Sequence, residues 1–136
     1  EYIDHSFEGP SLTGRGAKAR ALISMMQRRA EFMVLDAVAA YFHHATDGLG
    51  PEIESYQNQA WGERQKEVAL KGMAYFNKIL ADADYVVGDE FTVADITLFA
   101  GLGFADFKFL SDFSLGEVCA RDLFASGLCL FCDICF

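Results

Sequence analysis

The chain has 136 residues, enough for one domain with a buried core, and its formal net charge of -9 argues against a surface that coats nucleic acid phosphates. Its residues are 52% hydrophobic with 13 Phe, which excludes a disordered chain, and with only two Pro and few Val or Thr runs it favours helix over sheet. The apolar stretch 123–136 is too short to span a bilayer and contains Asp133, and the opening Glu1-Tyr2-Ile3-Asp4 has no signal-peptide character. A cytoplasmic protein away from membranes is therefore expected. The chain opens without Met, as if cut from something longer.

Residues 1–16 read as the end of one element and a linker, broken by Gly9-Pro10 and Gly14-x-Gly16. Residues 17–46 carry no Gly or Pro and predict one long helix. Leu22, Met26, Met33, Ala37 and Tyr41 recur close to helical spacing as a core face. Arg28, Phe32, Asp36, Ala39 and His43 form a second, mixed stripe, suited either to lining a cleft or to meeting water. Thr46-Asp47-Gly48-Leu49-Gly50-Pro51 stops the helix. A second helix is expected over about 58–80, with Trp61, Val68, Gly72, Tyr75, Phe76 and Ile79 facing inward.

The run Phe91-Thr92-Val93-Ala94-Asp95-Ile96 predicts the start of a third helix. Thr92 suits the N-cap, Asp95 stands at the acidic place of a capping box, and Phe91 with Ile96 forms a hydrophobic staple. On the usual value of a cap, Asp95→Ala is expected to cost about 0.5–2 kcal/mol. This helix runs to about 107 with Ile96, Phe99, Ala100, Gly103, Phe104 and Phe107 in register, apolar nearly all round, and is expected at the centre of the core. Gly101-x-Gly103 inside it reads as close helix packing. Ser114-Leu115-Gly116-Glu117 repeats the capping-box pattern and predicts a short helix ended by Gly127. The fold class expected is an all-α helical bundle, with a domain over 17–110 and a divergent Cys-rich tail over 111–136.

No complete active site emerges. His43-His44 point about 100° apart on a helix and cannot chelate one metal side by side. The chain shows no G-x-S-x-G elbow, P-loop or dinucleotide fingerprint. Cys129, Cys132 and Cys135 form C-x-x-C-x-x-C, but no second half-site follows, so neither a metal site nor a catalytic residue is assigned. Charge is uneven: Arg15, Lys18, Arg20, Arg28 and Arg29 fall between Glu8 and Glu31, where no acid stands. Such a run is either a solvated, salt-bridged helix face or a site for a small anionic ligand.

Several stretches resemble one family. Phe91-Thr92-Val93-Ala94-Asp95-Ile96 resembles the capped, stapled buried helix in the C-terminal helical domain of glutathione transferases. The run 20–31 resembles the first helix of that domain in a bacterial and fungal branch, Tyr85-Val86-Val87-Gly88-Asp89 the loop before the buried helix, and Glu1-Tyr2-Ile3-Asp4 the last turn of a preceding thioredoxin-like domain. The likeness covers about residues 1–110; the tail from Ser111 departs from it.

The resemblance implies a cytoplasmic homodimer that joins glutathione, as co-substrate, to a small electrophile in detoxification. The thioredoxin-like half holds glutathione and activates its sulfur. The helical half forms most of the electrophile pocket. On that implication Met25, Arg28, Arg29 and Phe32 border the cleft, Met25 and Phe32 as an adaptable apolar wall and the arginines as a bias toward anionic ligands. Arg28 serves equally well as a tie between the two halves. A chain without the glutathione-binding half is expected to be nearly inactive alone. The alternative is a non-catalytic docking module built on the same helical domain.

Overall fold

The structure, a computed structural model, describes residues 1–109, with side chains as far as Ala105. The 114–126 helix, the Cys motif and the rest of the tail over 111–136 lie outside the described residues. The described elements are α1 (Tyr2–Ser6), α2 (Ala17–Ala30), a five-residue π-bulge (Glu31–Leu35), α3 (Asp36–Ala45), α4 (Gln59–Leu80) and α5 (Val93–Phe109). Among the described residues there is no strand, and the all-α class expected from the sequence holds.

The expected 17–46 helix is unbroken along the chain over 17–45 but not uniform in hydrogen bonding. At its middle the Asp36 N–H bonds to the Glu31 carbonyl, five residues back, where an α-helix would reach four. α2, the bulge and α3 together form the central rod. α4 packs along α3 and the bulge, and α5 packs along α2, the bulge and α3. The rod packs against both α4 and α5, and α5 adds Ala94, Leu98 and Ala105 to the core.

The buried set differs from the predicted face in phase. Ile23, Met26, Ala30 and Val34 are buried from the first half of the rod, and Ala37, Val38, Tyr41 and Phe42 from the second. They meet Ala69, Met73 and Phe76 of α4 and Ala94, Leu98 and Ala105 of α5. Leu22, placed inward from its spacing, is 44% exposed, because Ile23 beside it takes the inward direction. Trp61 is half exposed, because Gly62 beside it takes the inward direction against Ala45; the Trp61 N–H donates to the Oδ1 of the Asn58 cap at 3.0 Å.

The start of α5 is formed as a box with a variation. Thr92 donates its N–H and its hydroxyl to Asp95 Oδ2 at 2.8 and 2.9 Å, and the Thr92 hydroxyl oxygen accepts the Ala94 N–H at 3.3 Å. Asp95 Oδ1 accepts the Val86 N–H at 2.7 Å, so the carboxylate also ties down the preceding loop. The first helical N–H, on Val93, reaches the carbonyl of Leu12 at 3.0 Å. Thr92 and Asp95 are both buried. The staple is a correction: Ile96 is 43% exposed, and the Phe91 ring meets Tyr85 instead, centroid to centroid 6.1 Å. With Ala94 and Leu98 inward, Ile96 is turned outward by the helical period.

Residues 1–16 are built into this body. Asp4 accepts hydrogen bonds from the Ser11 hydroxyl at 3.1 Å, the Leu12 N–H at 2.8 Å, the Thr13 N–H at 3.1 Å and the Thr13 hydroxyl. These donors, the Thr13 hydroxyl first, hold its carboxyl well below the usual carboxylate range.

Candidate functional site

α2 begins after Gly16 and carries no acid in its first turn, so its own composition leaves it basic. Burial of Ile23, Met26 and Ala30 turns the intervening residues to the surface, and an apolar line is left there. Met25 is 42% exposed and Phe32 56% exposed, with Arg28 between them on the same helical face.

Arg28 and Phe32 come together. The guanidinium carbon lies 5.2 Å from the centre of the Phe32 ring, within cation–π range. Glu31, the first residue of the bulge, forms an ion pair with the same guanidinium. The result is a flat cation laid over an aromatic face with an acid at its edge. Met25 adds a flexible thioether one turn earlier.

Arg29 goes elsewhere. It donates to the Tyr75 hydroxyl on α4 and stands 5.5 Å from that ring, while the Tyr75 hydroxyl points to Met26 sulfur at 3.8 Å. Of the four residues expected at the cleft, three share one exposed patch and the fourth braces α2 against α4. The local basic run is partly neutralised: Arg20 pairs with Glu1 at 3.2 Å and Arg28 with Glu31. Arg29 has a hydroxyl, not a carboxylate, as its partner.

A concavity that sequence reasoning missed lies beside this patch. It measures about 950 Å³ and is bounded by residues 10–15, the first turns of α2 and the loop 85–92. Leu22 belongs to its wall and is one turn from Met25, so the groove and the patch adjoin. The breakers Gly9-Pro10 and Gly88 were the available signal, since they mark the two loops that border the concavity; the distance between them in the chain hid it.

The histidines are occupied structurally. His43 Nδ1 meets Glu54 Oε1 at 2.7 Å, and the Leu49 N–H donates to the same oxygen at 2.9 Å. The Leu49 N–H and His43 hold the Glu54 carboxyl below its ordinary range. His44 Nδ1 accepts the Asn58 N–H at 3.3 Å. Together they fasten the 46–58 loop to the end of α3. Among the described residues no three potential metal ligands converge, and no helix is long and apolar enough to cross a membrane.

A basic α2 with an aromatic–thioether patch, a bulged central rod and a buried Thr–Asp box at the start of α5 together make an all-helical domain. Residues 59–119 match the family model described as glutathione S-transferase, C-terminal domain. The chain is 54% identical over 105 residues to glutathione S-transferase 2 of Saccharomyces cerevisiae, covering 77% of this chain and 45% of that protein. Its structure resembles that of a glutathione S-transferase domain-containing protein of Marinobacter aquaeolei VT8, with TM-score 0.84 and 49% identity over 96% of this chain and 62% of that one. It also resembles Gtt2 of S. cerevisiae, with TM-score 0.80, 45% identity and coverage of 96% and 61%. The chain belongs to the glutathione S-transferase family through its C-terminal helical domain. It spans less than half the length of the curated yeast relative and about three-fifths of the two bacterial and yeast structures.

Proposed function

We propose that the exposed patch Met25–Arg28–Phe32 is one wall of the pocket in which a small electrophile meets glutathione, and that the whole protein is a glutathione-conjugating transferase. The observation that carries this reading is the Phe32 ring left more than half exposed, with a guanidinium laid on it and a methionine beside it, on the first long helix of a glutathione transferase helical domain. A folded chain gains nothing in stability from exposing such a cluster; a ligand surface needs it.

The chemistry divides between two surfaces. A thiol with an ordinary pKa near 8.5 is mostly protonated at neutral pH, and the thiolate is the nucleophile. Lowering that pKa requires a donor or a positive potential at the sulfur. The helical wall supplies the other requirement. An aromatic electrophile stacked against Phe32 and Met25 is held close and oriented, and Arg28 favours ring substituents that gather negative charge as the sulfur adds. Arg29 acts from behind, holding α2 to Tyr75. A cytoplasmic homodimer acting in detoxification belongs to the same proposal.

The test is a nuclear magnetic resonance titration with 2,4-dinitrotoluene, whose methyl group replaces the chlorine of the usual electrophile and leaves cysteines unreacted. Shifts centred on the Met25 methyl, Arg28 and Phe32 are expected. Shifts confined to the groove around residues 10–15 and 85–92 would remove the wall from this patch. Separately, the chain mixed with glutathione and 1-chloro-2,4-dinitrobenzene is expected to stay at the uncatalysed rate; turnover would place a thiol-activating group within these 136 residues.

A further inference from the structure

The π-bulge is the one place where the central rod departs from α-helical bonding, and it lies directly under the patch. Glu31 and Phe32 are its first two residues, and Arg28 is bound to both. π-bulges carry one residue too many for a helical turn and persist where packing holds them, often at functional sites. The packing around this bulge comes from two glycines on different helices. A Cβ on Gly72 of α4 would lie 2.4 Å from the Met33 carbonyl oxygen and 2.9 Å from the Met33 carbonyl carbon. A Cβ on Gly101 of α5 would lie 3.0 Å from the Leu35 nitrogen and 3.0 Å from Val34 Cγ1.

The contacts at Gly72 are to backbone, so no side-chain rotation relieves them. α4 therefore touches the widened turn of the bulge itself, at the residue next to Phe32. α5 closes on its far end. The other glycines of these helices lie away from the bulge. A Cβ on Gly62 would meet Ala45 Cβ at 2.6 Å and the Ala45 nitrogen at 2.8 Å, at the opposite end of α3, and one on Gly103 would meet nothing within 4 Å.

We infer that Gly72 and Gly101 are positioning residues for the ligand wall: by admitting α4 and α5 to the bulge backbone they fix where Phe32 projects and hence where Arg28 rests. This deepens the proposed function and rests on its placing the electrophile at the patch. A methyl group at Gly72 must displace the Met33 peptide, and the peptide that follows Phe32 moves with it. The same methyl at Gly62 disturbs the packing of α3 on α4 without reaching the bulge.

The experiment compares Gly72→Ala, Gly62→Ala and Gly103→Ala by thermal unfolding, by the resonances of the Phe32 ring and the Arg28 side chain, and by titration with 2,4-dinitrotoluene. Gly72→Ala and Gly62→Ala are both expected to lower Tm. Only Gly72→Ala is expected to shift the Phe32 and Arg28 signals and to weaken dinitrotoluene binding. Gly103→Ala should alter none of the three. If Gly72→Ala does not fold, Gly101→Ala, with its looser contacts, carries the comparison. A Tm loss in the folded bulge variant with Phe32 and Arg28 unmoved would overturn the inference and leave the glycines as packing residues. Absence of dinitrotoluene binding by the unaltered chain would instead remove the ligand wall, while movement of Phe32 in Gly72→Ala would still establish positioning.

Discussion

Asp95 and Asp4 are two carboxylates doing comparable work in opposite settings. Each gathers several donors and ties a loop to a helix, Asp95 at the start of α5 and Asp4 at the linker 11–13. Asp95 is buried, and most of its donors stand within a helical turn of it. Asp4 lies on a short, exposed helix, and its donors come from irregular backbone seven to nine residues on. A carboxylate whose partners are dictated by a helix start is an element of folding. One whose partners must first be delivered by a turn instead fastens a segment after the core has formed.

This contrast can be broken by substitution. The largest effect belongs to Asp95→Ala. It leaves the buried Val86 and Thr92 N–H groups without an acceptor, and at the usual cost of orphaned buried donors the loss is about 3 kcal/mol or more. That exceeds the 0.5–2 kcal/mol expected from a cap alone, because the bond to Val86 is not part of the cap. Denaturant unfolding measures it; a loss confined to the cap range would mean that the Val86 N–H finds another acceptor.

A smaller loss is expected for Asp4→Asn, read as a lower Tm together with freer motion of residues 1–13 by heteronuclear relaxation. If α5 also loosens, the linker is part of the core. Asp4 and Glu54 together give a pH signature. The folded-state affinity of Asp4 for a proton is depressed, and that of Glu54 likewise. Their stabilisation is therefore fully present above the ordinary carboxylate range and fades as pH falls below about 4, toward their lowered folded values. Acid titration of Asp4→Asn should show a shallower fall in Tm than the unaltered chain over that interval. The smallest stability effect is expected for Phe32→Ala. Its ring is largely exposed, so the change should stay within about 0.5 kcal/mol while dinitrotoluene binding is lost. A large destabilisation would show that the ring belongs to the core.

These pairs also explain what the amino-acid order disclosed. The Thr92–Asp95 box was legible because its geometry is written within one turn. The all-helical class and the α4 and α5 boundaries followed from periodicity and breakers. The core face of the rod was read one position off at Leu22 and Ile23, since two adjacent apolar residues fit the helical period about equally well. The π-bulge was not legible at all. Residues 31–35 carry no Gly or Pro, and the backbone that packs on the bulge, at Gly72 and Gly101, comes from other helices far along the chain. At the patch, Arg28 with Phe32 was foreseeable from their spacing. The departure of Arg29 to Tyr75 required the position of α4.

The bond between the Val93 N–H and the Leu12 carbonyl has a further consequence. The first amides of a helix ordinarily have no intrahelical acceptor and exchange with solvent readily. Here the protection of one such amide depends on a residue before α2. Hydrogen exchange at Val93 thus reports the undocking of the linker separately from the unfolding of α5. Exchange at Val93 faster than at Leu98 would resolve a partial opening in which the linker lifts away while the bundle stays closed.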